Sequence, residues 1–164
     1  MLNAMASKTL VLGLGNPILT DDGVGIHVVR AVAARGRCDD VTLAEASVGG
    51  LRLLDTLTDY ERVILVDAIQ TPDGRAGQVY LLHPNDLHAS LHSGSTHDLS
   101  LPDALTLGRK LGLVLPTDEA VTIVAVEVED VLTFGESCTP AVAAAIPGAV
   151  EMVMACISAP HLSA

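Results

Sequence analysis

Residues 62–69 read RVILVDAI. A short, continuous, β-branched apolar run of this kind reads as a strand. Its lack of apolar–polar alternation reads as a strand covered on both faces, in the middle of a parallel sheet. One residue breaks the run. A charged Asp67 is costly among apolar neighbours unless it is bonded, paired or holds a metal. The position favours a functional carboxylate over one merely satisfied by nearby amides.

The flanking segments alternate strand with helix. Lys8 to Leu14 reads as a buried strand ending in Gly13-Leu14-Gly15, and a helix is expected from about Asp22, with Val24, Val28, Val29 and Val32 on one face and Gly36 at its end. VTLAEAS (41–47) reads as a strand, and GGLRLLDTL (49–57) as a short helix with Leu51, Leu54 and Leu57 on one side. After the turn TPDG, the strand GQVYLLH (77–83) is expected to run antiparallel. Residues 84–99 are expected to form a polar loop carrying three histidines. Ser100-x-x-Asp103 is a capping-box pattern opening a helix to about Leu111. VTIVAVEV (121–128) is the last strand. Thr139-Pro140 then starts a helical segment, with Thr as N-cap, that Pro147 is expected to interrupt before a second piece ends near Ile157. This order predicts an α/β fold: one sandwich with helices on both faces of a mostly parallel sheet. Residues 1–7 read as a loose leader, 8–158 as a single domain and 159–164 as a tail, with Met5 an alternative start.

Composition narrows the function. With 164 residues, 49% of them apolar, one domain can bury a sizeable core; with no Trp, two Tyr and a single Phe (Phe134), that core is aliphatic. Sites built from stacked rings, such as single-strand nucleic-acid grooves, are therefore disfavoured. A net charge of −11 repels phosphate backbones and anionic membranes but tolerates cations. Cys38, Cys138 and Cys156 are odd in number and form no C-x-x-C, so neither a disulfide framework nor a zinc clip is expected, and a reducing cytoplasm is. The apolar runs read as too short to span a bilayer. The opening MLNAMAS carries no signal-like pattern.

In open α/β sheets the chemistry gathers at the carboxyl ends of the strands. There the sequence sets Asp21 and Asp22 after strand one, Glu45 at the end of strand two, Asp67 in strand three, His97 in the loop after strand four, and Glu127 and Glu129 at the end of strand five. For the adjacent aspartates, cap and site are evenly balanced; Asp21 is assigned as N-cap and Asp22 as ligand. His97 taken alone is an ordinary loop histidine. His88 and His92 have the i, i+4 spacing of a helical metal pair, but position 89 is Ala where H-E-x-x-H needs Glu. His27 is expected to pack or face solvent, and His83 to mark a strand end. The G-x-G of Gly13 and Gly15 is a weak dinucleotide fingerprint. The third glycine is replaced by Ile18, and two aspartates repel a pyrophosphate at the helix start, although Glu45 can imitate the ribose-binding acid.

Taken as a set, GLGNPILTDDGVG (13–25), VILVDAI (63–69), STHDLSLPDAL (95–105) and VAVEVEDV…TPAVAAAIPGAV (124–150) resemble the nickel-iron hydrogenase maturation endopeptidases, in order and over about residues 8 to 157. The resemblance implies a cytoplasmic, monomeric protease that trims a C-terminal extension from the precursor of the hydrogenase large subunit once nickel has been delivered. It implies a three-layer α/β/α sandwich with a five-stranded mixed sheet. It also implies metal ligation by Asp22, Asp67 and His97, with nickel supplied by the substrate and zinc or cadmium able to substitute in crystals. Two carboxylates and one imidazole make an open, three-ligand site, suited to a metal already held by substrate thiolates. Hydrolysis is then expected either from the metal polarising the carbonyl or from Asp22 or Asp67 acting as general base. After strand two, family members often carry an acidic-Gly-Gly-Thr-like run. Here EASVGG (45–50) stands instead, leaving Glu45 as the substrate-binding candidate and the cognate hydrogenase open. Two other readings are a peptidyl-tRNA hydrolase, whose opening GLGNP resembles, and a non-enzymatic nucleotide- or metal-binding module. The first lacks the Gly expected at Ile18 and the Tyr and Arg-His-Asn run that should follow, and carries the wrong charge.

Overall fold

A computed structural model describes residues 8–36, 38–47, 49, 51–90 and 100–159, with the side chains of 88–90 set aside. The five strands are β1 (Thr9–Leu14), β2 (Val41–Ala46), β3 (Arg62–Ile69), β4 (Val79–Leu82) and β5 (Val121–Glu127). They form one sheet in the order β2-β1-β3-β5-β4. RVILVDAI is therefore the central strand, parallel to β1 on one side and to β5 on the other. Only β4 runs antiparallel, as the turn before it implied.

The continuous apolar run in β3 serves two cores at once. Ile64 and Val66, with Val11, Val124 and Val126, face one side; Val63 and Leu65, with Leu10, Leu12, Ile123 and Ala125, face the other. The first face is covered by α1 (Val24–Ala34) and α5 (Pro140–Ser158). The second is covered by α2 (Leu51–Leu57) and α4 (Leu101–Lys110), with α3 (Pro84–Ser90) beside α4. This is the α/β/α sandwich expected, and each wholly buried Leu or Ile contributes roughly 1.5–3 kcal/mol of transfer free energy to it. The glycines at the end of β1 also find their reason. A Cβ at Gly13 would meet the Gly25 carbonyl, so the pair lets α1 lie directly on the sheet. Gly15 has φ +129°, a left-handed conformation, and passes against the backbone of Asp22. Close packing, not phosphate binding, uses this G-x-G.

The structure corrects several local expectations. Residues 84–90 are helical rather than loop, with Pro84 in the first turn, where its missing N–H costs nothing. In α2 the buried residues are Leu53, Leu54 and Leu57, and Leu51 is half exposed at the helix start. Pro147 does not interrupt α5, which runs unbroken for 19 residues. Pro147 and Ala143, whose carbonyl loses its partner, are both exposed, so water can take the lost bond. The continuous α5 is also long and apolar enough, by length and composition, to cross a bilayer, contrary to the expectation from the runs. Here it serves as a layer of the sandwich, with Val142, Ala149, Val150, Val153 and Cys156 buried against the sheet and α1.

Candidate active site

Four carboxylates from the carboxyl end of the sheet divide by what holds them. Asp21 is wholly buried in a 3-10 turn, Thr20–Gly23, between β1 and α1. Its Oδ1 accepts the Thr139 N–H at 2.7 Å; its Oδ2 accepts the Thr139 hydroxyl at 3.0 Å and the N–H groups of Asp130 and Glu129 at 3.1 and 3.2 Å. With four donors already on it, this carboxylate is committed to holding the fold rather than open to a ligand. The N-cap role assigned to Asp21 is thereby corrected. The residue before α1 is Gly23, with no side-chain cap, and Asp21 reaches across to fasten residues 129–139 and the start of α5. Thr139 precedes α5 as expected, but it spends its hydroxyl on Asp21 rather than on its own helix.

Glu127, at the end of β5, is also buried and engaged. It accepts the N–H of Thr71 at 2.6 Å, the Thr71 hydroxyl at 3.0 Å and the Tyr80 hydroxyl at 3.1 Å. Glu129 is exposed.

Asp22 and Asp67 differ from both. Asp22 is half-buried and, among the described residues, accepts one bond, from the Asn16 N–H to Oδ2 at 2.9 Å. Asp67 is half-buried on the α2/α4 face and likewise accepts one from the described residues, from the Ala68 N–H to Oδ1 at 2.8 Å. Burial pushes the Asp67 carboxyl up to about 7; the negative charge of Asp22 adds to the rise, and the Ala68 N–H opposes it. The two acids are thus brought within electrostatic reach, each with oxygen lone pairs that no described residue meets. A divalent cation would relieve both the burial cost and the mutual repulsion, and carboxylate oxygens plus an imidazole are a donor set such a cation accepts. Among the described residues, no group of three His, Cys, Asp or Glu is assembled around one point.

His97 and His92 lie outside the described residues, as does the side chain of His88. The segment holding His97 ends at Ser100, the N-cap of α4, whose Oγ accepts the Asp103 N–H. After α4 the chain reaches Val114, whose carbonyl accepts the N–H of Asp59, before β3. That is the amino rim. Ten helical residues span about 15 Å, so α4 begins near the opposite rim, where Asp22 and Asp67 stand.

Glu45 stands apart from that pair. It is in register with Gly13 and so points toward α1, the face opposite to Asp67. There it is exposed and accepts two bonds from Arg30, at 2.8 and 2.9 Å, which hold its carboxyl below the usual range. His27, half-buried on α1, carries an Nε2 that is buried and finds no hydrogen-bond partner among the described residues. His83 follows the last residue of β4, as expected, with Nδ1 2.9 Å from the Val121 carbonyl oxygen. The thiol of Cys138 is pushed up to about 11 by burial and by the charge of Asp21, which makes it a poor nucleophile.

Over most of its length the chain is similar to known proteins. The sequence profile of the hydrogenase maturation protease family matches residues 26–156. The chain is 30% identical over 152 residues to the hydrogenase 2 maturation protease of Escherichia coli K12, covering 92% of this chain and 90% of that one. It is 26% identical to the hydrogenase expression/formation protein HupD of Rhizobium leguminosarum, covering 89% and 72%. Among solved structures, the hydrogenase maturating endopeptidase HybD from E. coli superposes with a TM-score of 0.77 at 32% identity, over 92% of this chain and 91% of that chain. The [NiFe] hydrogenase maturation protease HybD of Thermococcus kodakarensis shares the fold, with a TM-score of 0.65 at 24% identity, over 92% and 99%.

Proposed function

This chain belongs to the hydrogenase maturation protease family, and on that premise we propose how it works on its substrate. It is a hydrolase, an endopeptidase. Its substrate is the precursor of a nickel-iron hydrogenase large subunit, from which it removes a C-terminal extension. Asp22, Asp67 and His97 meet the nickel already held by the precursor, so that only a loaded precursor is seated for cleavage. The reading rests on one observation: among the described residues, Asp22 and Asp67 are neighbouring, half-buried carboxylates with a single hydrogen bond each, while Asp21 and Glu127 are each met by several donors. A carboxyl near 7 also suits Asp67 to take a proton from water at neutral pH. Zinc or cadmium is expected to occupy the same donors in the absence of substrate. The protein meets its precursor as a monomer in the cytoplasm, through one protease domain over residues 8–158, with no nucleic acid or membrane as partner. Family membership leaves the peptidyl-tRNA hydrolase and non-enzymatic readings without support.

The test is to mix the purified protein with nickel-loaded and nickel-free precursor and weigh the products. Cleavage confined to the loaded form is expected. Equal cleavage of both would remove nickel recognition, and no cleavage of the loaded form would remove the substrate.

A further inference from the structure

Beside the open carboxylates the chain carries its only phenylalanine on the outside. Phe134 is 80% exposed and Leu132 85% exposed, and Ile18, on the loop leading to Asp22, is 48% exposed. A parallel bridge pairs Leu19 with Gly135, which sets Ile18 and Phe134 side by side. The strap beside them is fastened at residues 129, 130, 132, 133, 135 and 139. The Asp130 carboxylate accepts the N–H groups of Leu132 and Thr133, and the Thr133 carbonyl accepts the Thr20 hydroxyl. Gly135 donates to the Ile18 carbonyl and accepts from the Thr20 N–H. Asp21 holds both ends, at Glu129–Asp130 and at Thr139. Leu132 and Phe134 on the fastened strap, with Ile18 beside Phe134, present large apolar side chains to solvent from backbone that is held in place, which is what a contact site needs. Pre-fixing the strap removes the ordering cost that a loose loop would meet on binding. Exposed Glu129 and Glu136 flank it, with half-buried Asp130 between Glu129 and Leu132, so the apolar patch has an acidic border.

We propose that the strap 129–139, with Ile18, is the docking surface for an apolar segment of the precursor bordered by basic residues. The inference rests on the function proposed above. Continuity carries the choice of occupant. Ile18 and Leu19 lead into the turn that holds Asp22, and the Leu19 carbonyl accepts the Asp22 N–H at 3.0 Å, so a chain lying on the strap is led to the open carboxylates.

The test compares the full-length protein with its Leu132→Ser/Phe134→Ser double variant. Initial rates are measured on nickel-loaded precursor, and binding of the intact precursor is measured separately by interferometry. The expected result is a KM raised about tenfold or more, with kcat within about twofold and an unchanged thermal midpoint, since both side chains face solvent. A Glu129→Gln/Glu136→Gln variant is expected to flatten the salt dependence of KM; unchanged salt dependence overturns the basic border. Equal binding and equal KM for the double variant and the parent overturn the docking surface. Binding that needs the strap, with no cleavage by the parent, overturns the proposed function and leaves the strap standing. A dimer of the parent in sedimentation that the double variant abolishes makes a second copy the occupant, and overturns the assignment to the precursor.

Discussion

Asp21 and Asp22 are adjacent in sequence and opposite in circumstance. Asp21 is wholly buried and takes four hydrogen bonds, all from the remote segment 129–139. Asp22, one residue on, keeps a single local bond among the described residues and lies within the electrostatic reach of Asp67. One carboxylate closes the fold; the other is the one proposed to meet the metal. The difference teaches that burial alone does not mark a functional acid; the decisive quantity is how many donors already meet it.

Substitutions test that division, beginning with the largest effect. Asp67→Asn or Asp22→Asn should cost about 10³-fold or more in precursor cleavage, measured as kcat/KM, with the far-ultraviolet circular dichroism intact. Asp21→Ala should instead cost stability, roughly 3–5 kcal/mol by urea unfolding, because it strands several inward-facing donors at once. Should Asp67→Asn unfold the protein or Asp21→Ala leave it stable, the two roles are exchanged. Glu127→Gln belongs with Asp21 but should cost less, about 1–2 kcal/mol, since the amide still accepts at one oxygen.

The raised Asp67 carboxyl predicts two pH effects of opposite sign. Cation affinity, measured by calorimetry with cadmium, should rise about tenfold per pH unit up to about pH 7 and then level, because below that a proton occupies Asp67. Stability of the metal-free protein should change the other way. The unfolded chain loses this proton near the ordinary carboxylate value of about 3.9 and the folded one near 7, so between them the folded state holds more protons and stability falls as pH rises. Asp67→Asn should remove that fall. The smallest effect is expected at Arg30–Glu45, an exposed ion pair on the other face. Glu45→Ala should leave the thermal midpoint where it was, and a change in precursor selectivity without a change in stability would give Glu45 its substrate role.

Much of this was legible in the residues. RVILVDAI matched the central strand residue for residue, and the valines of α1 face the sheet as their spacing implied. Asp67 stood out because an acid interrupts an otherwise apolar strand. What the sequence hid was long-range. Nothing local distinguishes Asp21 from Asp22, because the partners that separate them lie 108 to 118 residues away. The 84–90 helix was masked by its polar composition, and the continuity of α5 depended on Pro147 falling on the solvent side. The strap was missed for the same reason as Asp21, since its apolar residues carry no periodic signal and take meaning only from the loop they are fastened to.

The central claim is that Asp22 and Asp67, not Asp21, are the carboxylates open to a metal. A crystal structure of the protein soaked with cadmium tests it most directly. The account predicts one ion bound by Asp22, Asp67 and His97, with Asp21 still holding the N–H and hydroxyl of Thr139. An ion on Asp21 or Glu127, or a cadmium site elsewhere with Asp67 free, would contradict it.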